Sequence, residues 1–396
     1  MNEPTLWRHA AFRRLYVSTM CFVLATQVYQ LAMPLIFYEL THSATVMSGL
    51  RAVELLPNLL LAMFIGVWVD RIDRGRWARR ALAGMVALMG VQALLLPRGT
   101  EAMPLFFACA FALMTLSYLY GICRTGLVKE MLPSPLLLPA IGQLSVIEQV
   151  AGVIGPAAAG ALVAHHVALG LWVPMGALLL AAVLLRGLAL PQQHFTPGSF
   201  WQDWLEGWRV LRANRPLWQL AWLVVLMNGC SGVVDVLFLF RARDQLHLGP
   251  AALGGLYAMA GLGGVAGGFL CSAWRQRLGL GRLLAAALAL QTACTLVLAW
   301  GASVPVLVAG LAANSLAGVV GNVCIWGYRQ ESTASIHIGR VSGLTGSLFK
   351  LAMPFTLLLA GHLAGHQPLG LMLSACAAAY VVTTLGVRWS AVYRVI

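Results

Sequence analysis

Five ionisable residues stand inside stretches of sequence that are otherwise apolar. Arg51, Glu54 and Asn58 fall at positions i, i+3 and i+7, so on a helix they share one face. Asp235 shares a face with Asn228 and Ser231, and Glu148 with Ser145, Gly152 and Gly155. Lys350 follows Gly343 and Gly346 at the same helical spacing. A carboxyl withdrawn from water holds its proton more tightly than its solution pKa of about 4 implies, so it can load and unload a proton near neutral pH. Asp235, Glu148 and Glu54 are therefore candidate proton carriers, with Asp235 first. A lysine or arginine in the same surroundings needs a counter-charge, from the protein or from a bound anion. That makes Arg51 and Lys350 candidates for substrate binding or gating. Two plainer readings stand beside these. Arg51 and Glu54 can satisfy each other as a pair on one helix, and Glu148 can be a hydrogen-bonded carboxyl within a packing face.

Other chemistry is poorly represented. No nucleophile–base pair falls inside an apolar stretch, and the nine histidines lie mostly in polar segments. His165 and His166 are adjacent, so they cannot face one ligand together and read as a solvated turn. The eight cysteines are scattered singly with no Cys-x-x-Cys, which indicates neither a metal site nor a disulfide framework. There is no Gly-x-x-x-x-Gly-Lys-Ser/Thr for a nucleotide. The sequence argues against an enzyme and against an ATP-driven pump, and it calls for no metal and no cofactor.

The elements that must hold these residues are hydrophobic helices. Hydrophobic residues make up 60% of the 396 and charged residues only 10%, whereas soluble domains carry about a quarter charged. A single soluble core stops growing at about 250–300 residues, and several apolar runs here exceed the roughly 18 residues that span a bilayer. The chain therefore reads as an all-α multi-pass membrane protein. Twelve spans are expected, near 15–39, 45–69, 79–97, 102–124, 139–164, 168–190, 216–240, 250–274, 281–301, 303–327, 340–364 and 368–388. Between the sixth and seventh lies "PQQHFTPGSFWQDWLEGWRVLRANR", too polar to cross. Trp201, Trp204, Leu205, Trp208 and Leu211 recur there at helical spacing, as in a helix lying on a membrane surface. The organisation expected is a bundle over 1–190, a linker over 191–215 and a second bundle over 216–396.

The net charge of +13 does not point to nucleic acid, because the arginines fall in short groups between apolar runs rather than on one polar domain. With the N-terminus in the cytoplasm, 21 of the 26 lysines and arginines face inward, and both ends of the chain are cytoplasmic. The halves echo weakly. "GVWVDRIDRGR" follows the second span and "GFLCSAWRQRLGLGR" the eighth, aligning Gly66 with Gly268 and Asp70 with Ser272. Paired six-span repeats of this kind build alternating-access transporters.

The stretch Gly66-x-x-x-Asp70-Arg71-x-x-Arg74-Gly75-Arg76, between spans two and three, resembles the loop signature of the major facilitator superfamily. It departs at Asp73, where the family usually has glycine. The resemblance implies two six-helix bundles. It also implies that Asp70 meets the N-terminus of the eleventh span and holds the cytoplasmic side shut. The loop arginines would anchor to anionic headgroups. "AGVIGPAAAG" in span five resembles the Gly-Pro-rich signature of the superfamily's exporters, with Gly152, Gly155, Pro156 and Gly160 as a packing stripe. The run "GGLYAMAGLGGVAGG" in span eight would serve the same sliding contact. Within the superfamily, 51–71 and 339–365 look most like bacterial exporters of the enterobactin-exporter and macrolide-efflux kind.

That resemblance implies a monomer in a bacterial inner membrane that moves a small molecule, with protons as the coupling ion. Spans one, four, seven and ten line the family's cavity. Gln27 and Gln30, Tyr118, Asn228, and Asn314 and Asn322 are the polar groups expected there, beside Tyr120 in span four. Arg51 would pair with Asp235 across the domains in the inward-open state. Arg51 and Lys350 favour a carboxylate-rich cargo such as a siderophore. A polyspecific drug/proton antiporter is the alternative.

Overall fold

The computed structural model of the chain describes residues 6–69, 72–186, 200–333, 338–364 and 366–394. It is helical throughout these segments, in fourteen α-helices: α1 (Ala10–Thr41), α2 (Ala44–Val69), α3 (Arg74–Leu95), α4 (Met103–Met131), α5 (Ser134–His165), α6 (Leu169–Leu185), α7 (Phe200–Ala213), α8 (Arg215–Asp244), α9 (Pro250–Leu278), α10 (Leu280–Trp300), α11 (Val304–Glu331), α12 (Ile338–Leu348), α13 (Met353–Leu363) and α14 (Leu369–Trp389). Ten helical stretches among the described residues are long and apolar enough to cross a membrane. One of them, Arg74–Met131, contains both α3 and α4, and the apolar α6 is shorter than the ten.

Local chemistry sets the helix ends. Proline in the first turn opens α4, α5, α8, α9, α11 and α13, where its missing N–H has no partner to lose. Asp73 caps α3 by accepting from the Arg76 N–H at 2.8 Å, and Asn214 caps α8 by accepting from the Leu217 N–H at 3.2 Å. The departure from glycine at Asp73 thus has a local cause. Gly279, at φ +76°, separates α9 from α10 in a conformation that a side chain would strain.

Chain contacts divide into two compact units. The first holds residues 1–40, 61–197 and 250–254. In it α3 packs on α4 and α6. Its core includes the fully buried Tyr120, whose ring lies 4.4 Å from Phe22 and whose hydroxyl meets Ser18 Oγ at 3.4 Å. Gln92 Nε2 donates to the Tyr29 hydroxyl at 3.1 Å. Tyr120, expected among cavity groups, is therefore core.

The second unit holds residues 41–60, 198–249 and 255–396, so it takes in the first part of α2. Here α10 packs on α11 and α14, and α8 on α13 and α14. Thr45 Oγ1 donates to the Gly361 carbonyl, tying α2 to α13. Arg241 is buried and donates to the carbonyls of Leu298 at 2.7 Å and Gly301 at 3.0 Å. It thereby closes the C-terminal end of α10, where a cation suits the helix dipole. The amphipathic α7 docks on α8 and α12. Leu211 is fully buried, and Trp208, Trp218 and Trp222 form edge-to-face contacts at 5.7 and 5.6 Å.

One span departs from the expected continuous helix. The eleventh is broken into α12 and α13, with Lys350 in the gap.

Candidate functional site

The second unit gathers a polar cluster near the α8–α9 turn. Arg51 and Glu54, one helical turn apart on α2, are joined by an Arg51 Nη1 donation to Glu54 Oε2 at 2.9 Å. The Glu54 side chain is 4% exposed, that of Arg51 29%. Asp235, on α8, lies within electrostatic reach of Arg51, as does Tyr257 on α9. Tyr257 donates its hydroxyl to the Asp235 backbone carbonyl at 3.3 Å. The hydrogen bond of Arg51 thus goes to Glu54, while Asp235 shares its field. The Asp235 side chain is left exposed. A carboxylate at membrane depth that faced lipid would be costly, so an exposed one belongs on a water-accessible path.

The break between α12 and α13 lies against the middle of α8. Asn228 Nδ2 donates to the Phe349 carbonyl at 3.0 Å, and Thr356 Oγ1 to the Gly229 carbonyl at 2.9 Å. A side chain at Gly229 would come within 3.0 Å of Ala352 Cβ, so glycine is what lets the break approach. Asn228, expected as a cavity group, satisfies a carbonyl freed by the break. Lys350 is half-buried there.

Asp70 and Arg71 lie outside the described residues, as does the side-chain environment of Gly66. Their neighbours are placed. Gly75 is buried in the first turn of α3 and Arg76 is exposed. Arg74 is no lipid anchor: its Nη1 meets Glu130 Oε1 of α4 at 2.5 Å, with side chains 14% and 11% exposed. Its guanidinium crosses Gly126, where a Cβ would fall within 2.7 Å of Nε. The second unit contains a counterpart. Arg275 Nη2 meets Glu331 Oε2 at 2.6 Å and lies over Gly327. Partners in both pairs are 56 residues apart. Sequence reasoning missed Glu130 and Glu331, although the signal existed: arginine, then Gly-x-x-x-Glu at equal distance in each half.

Glu148 is neither buried nor part of the packing face. It is 52% exposed and accepts from Arg124 Nη2 of α4 at 2.9 Å. The glycine stripe of α5 resolves residue by residue. Gly155 packs on Gln27 of α1, and Gly160 on the backbone of Pro250 and Gly254, while Gly254 in turn meets the Pro156 carbonyl. A side chain at Gly152 would meet nothing within 4 Å among the described residues. Most of the α9 stripe has a different partner from the one expected. Gly263 and Gly267 press on Ala312 and Leu316 of α11. Gly268, the expected counterpart of Gly66, touches little, and the tight position is one residue earlier.

Gln27, Gln30 and Tyr118 are half-buried, Asn322 is exposed, and Asn314 Oδ1 is buried with no hydrogen-bond partner among the described residues. His165 and His166 are exposed, and His166 Nδ1 accepts from the Ala168 N–H in a turn. Among the described residues no group of three or more His, Cys, Asp or Glu could hold a metal, and all eight cysteines are buried and free.

A family model described as Major Facilitator Superfamily matches residues 15–357. A search of curated proteins finds no match. Among solved structures, a bacterial homologue of the iron transporter ferroportin, in an inward-facing state, is 17% identical with a TM-score of 0.72, covering 98% of this chain and 100% of that one. A bacterial homologue of the human lysosomal transporter Spinster, inward-facing and unoccupied, is 15% identical with a TM-score of 0.70, covering 99% and 97%. The POT family transporter PepTSo is 10% identical with a TM-score of 0.78, covering 98% of each. At these identities the likeness is one of fold.

Proposed function

The chain belongs to the major facilitator superfamily, and from that premise we propose that it exports a small molecule by alternating access, driven by protons. The supporting span count is twelve: the ten membrane-crossing stretches, with Arg74–Met131 divided into α3 and α4, and α6 added. The Gly99 kink, at φ +57°, makes that division natural. Six spans, the linker over 191–215 and six more spans give bundles over 1–190 and 216–396. The distribution of arginines supports cytoplasmic ends in a bacterial inner membrane.

Asp235 is the observation that carries the coupling. With Arg51 held by Glu54, those two charges cancel, and the charge of the cluster is set by Asp235 alone. Deprotonated, the cluster carries one negative charge; protonated, it is neutral and cheaper to pass through a low-dielectric state. Arg51 need not be released for this step. Glu148, exposed and already paired with Arg124, is the weaker candidate. By its place in the loop signature, Asp70 serves as the cytoplasmic gate, as the family resemblance implies. The cargo is a carboxylate-bearing small molecule, of which a siderophore is one class. A second reading, a polyspecific drug/proton antiporter, draws on the exposed Asp235 carboxylate beside Tyr257, which suits a cationic amphiphile.

The direct test compares spent medium from a deletion strain carrying vector or wild-type gene, with and without an uncoupler. A compound should accumulate outside with the gene and stop accumulating when the proton gradient collapses. Accumulation that survives the uncoupler would contradict proton drive.

A further inference from the structure

Several backbone groups of the α12–α13 break are paired. The Lys350 N–H donates to Ser347 O at 3.1 Å, Leu351 N–H to Leu348 O at 3.0 Å, and Met353 N–H to Lys350 O at 3.2 Å. The Phe349 carbonyl is taken by Asn228. A helix interrupted inside a membrane protein is tolerated where its freed groups are satisfied, and such interruptions mark substrate sites in transporters. What this break does not satisfy is a charge. Lys350 is half-buried and makes no ion pair or side-chain hydrogen bond among the described residues.

Its depth removes the usual escape. Asn228 stands near the middle of the 30-residue α8, so the carbonyl bonded to it lies near mid-membrane. The interface is then about 15 Å away, beyond the reach of a lysine stem, so this ammonium cannot snorkel to headgroups. Thr356 and Gly229 fix the break against α8 from the other side. The helix that supports the break also carries Asp235, two turns further along.

We propose that the break between α12 and α13 is a subsite in which Lys350 binds a carboxylate group of the cargo. This rests on the transport reading above and names the chemistry of its ligand. An ammonium held at mid-membrane in a turn tied to α8 by Asn228 and Thr356 gains its counter-ion when cargo arrives. Lys350 would touch the cargo, whereas Asn228 positions the turn.

The test uses the deletion strain carrying wild type, Lys350→Gln or Lys350→Arg. Compounds in the medium that depend on the wild-type gene are separated by anion exchange at neutral pH. The retained compound is then titrated into each purified protein, alongside its methyl ester. Export should fall with Lys350→Gln, and affinity should drop roughly tenfold or more, while Lys350→Arg keeps much of both and controls for folding. Esterification should weaken binding to wild type and change little for Lys350→Gln. A dependent compound that is cationic or uncharged, or one bound equally by wild type and Lys350→Gln, would overturn the subsite and leave the transport reading standing. If no compound depends on the wild-type gene, the transport reading itself fails and the subsite falls with it.

Discussion

The Arg74–Glu130 and Arg275–Glu331 pairs are the same device built twice from different parts. Each arginine lies across a glycine and meets a glutamate four residues beyond it, on α4 in one unit and α11 in the other. Yet Arg74 opens α3, behind its Asp73 cap, whereas Arg275 stands in the last turn of α9. The first pair is mostly buried and the second mostly open. The repeat has kept a clasp between helix ends while the helix supplying the arginine differs. The ionisable residues inside the membrane are not repeated. Residues 250–274 hold no Asp, Glu, Lys or Arg to correspond to Arg51 and Glu54. Scaffold features recur in both halves, whereas the Arg51–Glu54 pair does not.

Breaking the clasps should give unequal losses. Removing Glu130 costs Arg74 a short, mostly buried charge-assisted hydrogen bond, so Glu130→Ala should cost about 1.5–3 kcal/mol, read as a fall in thermal unfolding temperature in detergent. Gly126→Ala should come next, at about 1–3 kcal/mol, because a methyl there collides with the stem of Arg74 as well as its guanidinium. Gly327→Ala meets only the tip of Arg275, at 3.3 Å, and should change stability little. Smallest is Glu331→Gln, about 0.2–1 kcal/mol, as for exposed ion pairs, and it should shrink further in high salt. Equal losses from Glu130→Ala and Glu331→Gln would erase the distinction between the two ends.

The sequence made the membrane-crossing architecture legible because long apolar runs separated by arginines admit few other folds. Asp235 stood out for the same reason: a lone acid in such a run is conspicuous. The Arg51–Glu54 pair was readable from spacing alone. The clasps were not, because Glu130 and Glu331 sit at helix ends, where charges are ordinary. The break at Lys350 had one local signal, Pro354, which disfavours helix just before it and suits the first turn of a new helix. That Asn228 donates to the Phe349 carbonyl was not legible, because a sequence cannot say which polar side chain a freed carbonyl will claim. Stripes of small residues do not reveal which member is touched: Gly155 and Gly160 are, and Gly152 has nothing within 4 Å among the described residues.

Proton coupling in this protein stands or falls on Asp235. With the exported compound in hand, proteoliposomes of wild type and Asp235→Asn can be compared for cargo-driven proton movement and for exchange of cargo across the membrane without a gradient. The neutral asparagine mimics the protonated cluster but cannot release a proton, so the variant should lose proton movement and uphill export while still exchanging cargo downhill. If Asp235→Asn moves protons with cargo as wild type does, Asp235 is not the coupling group, and Glu148 with its Arg124 partner becomes the residue to change.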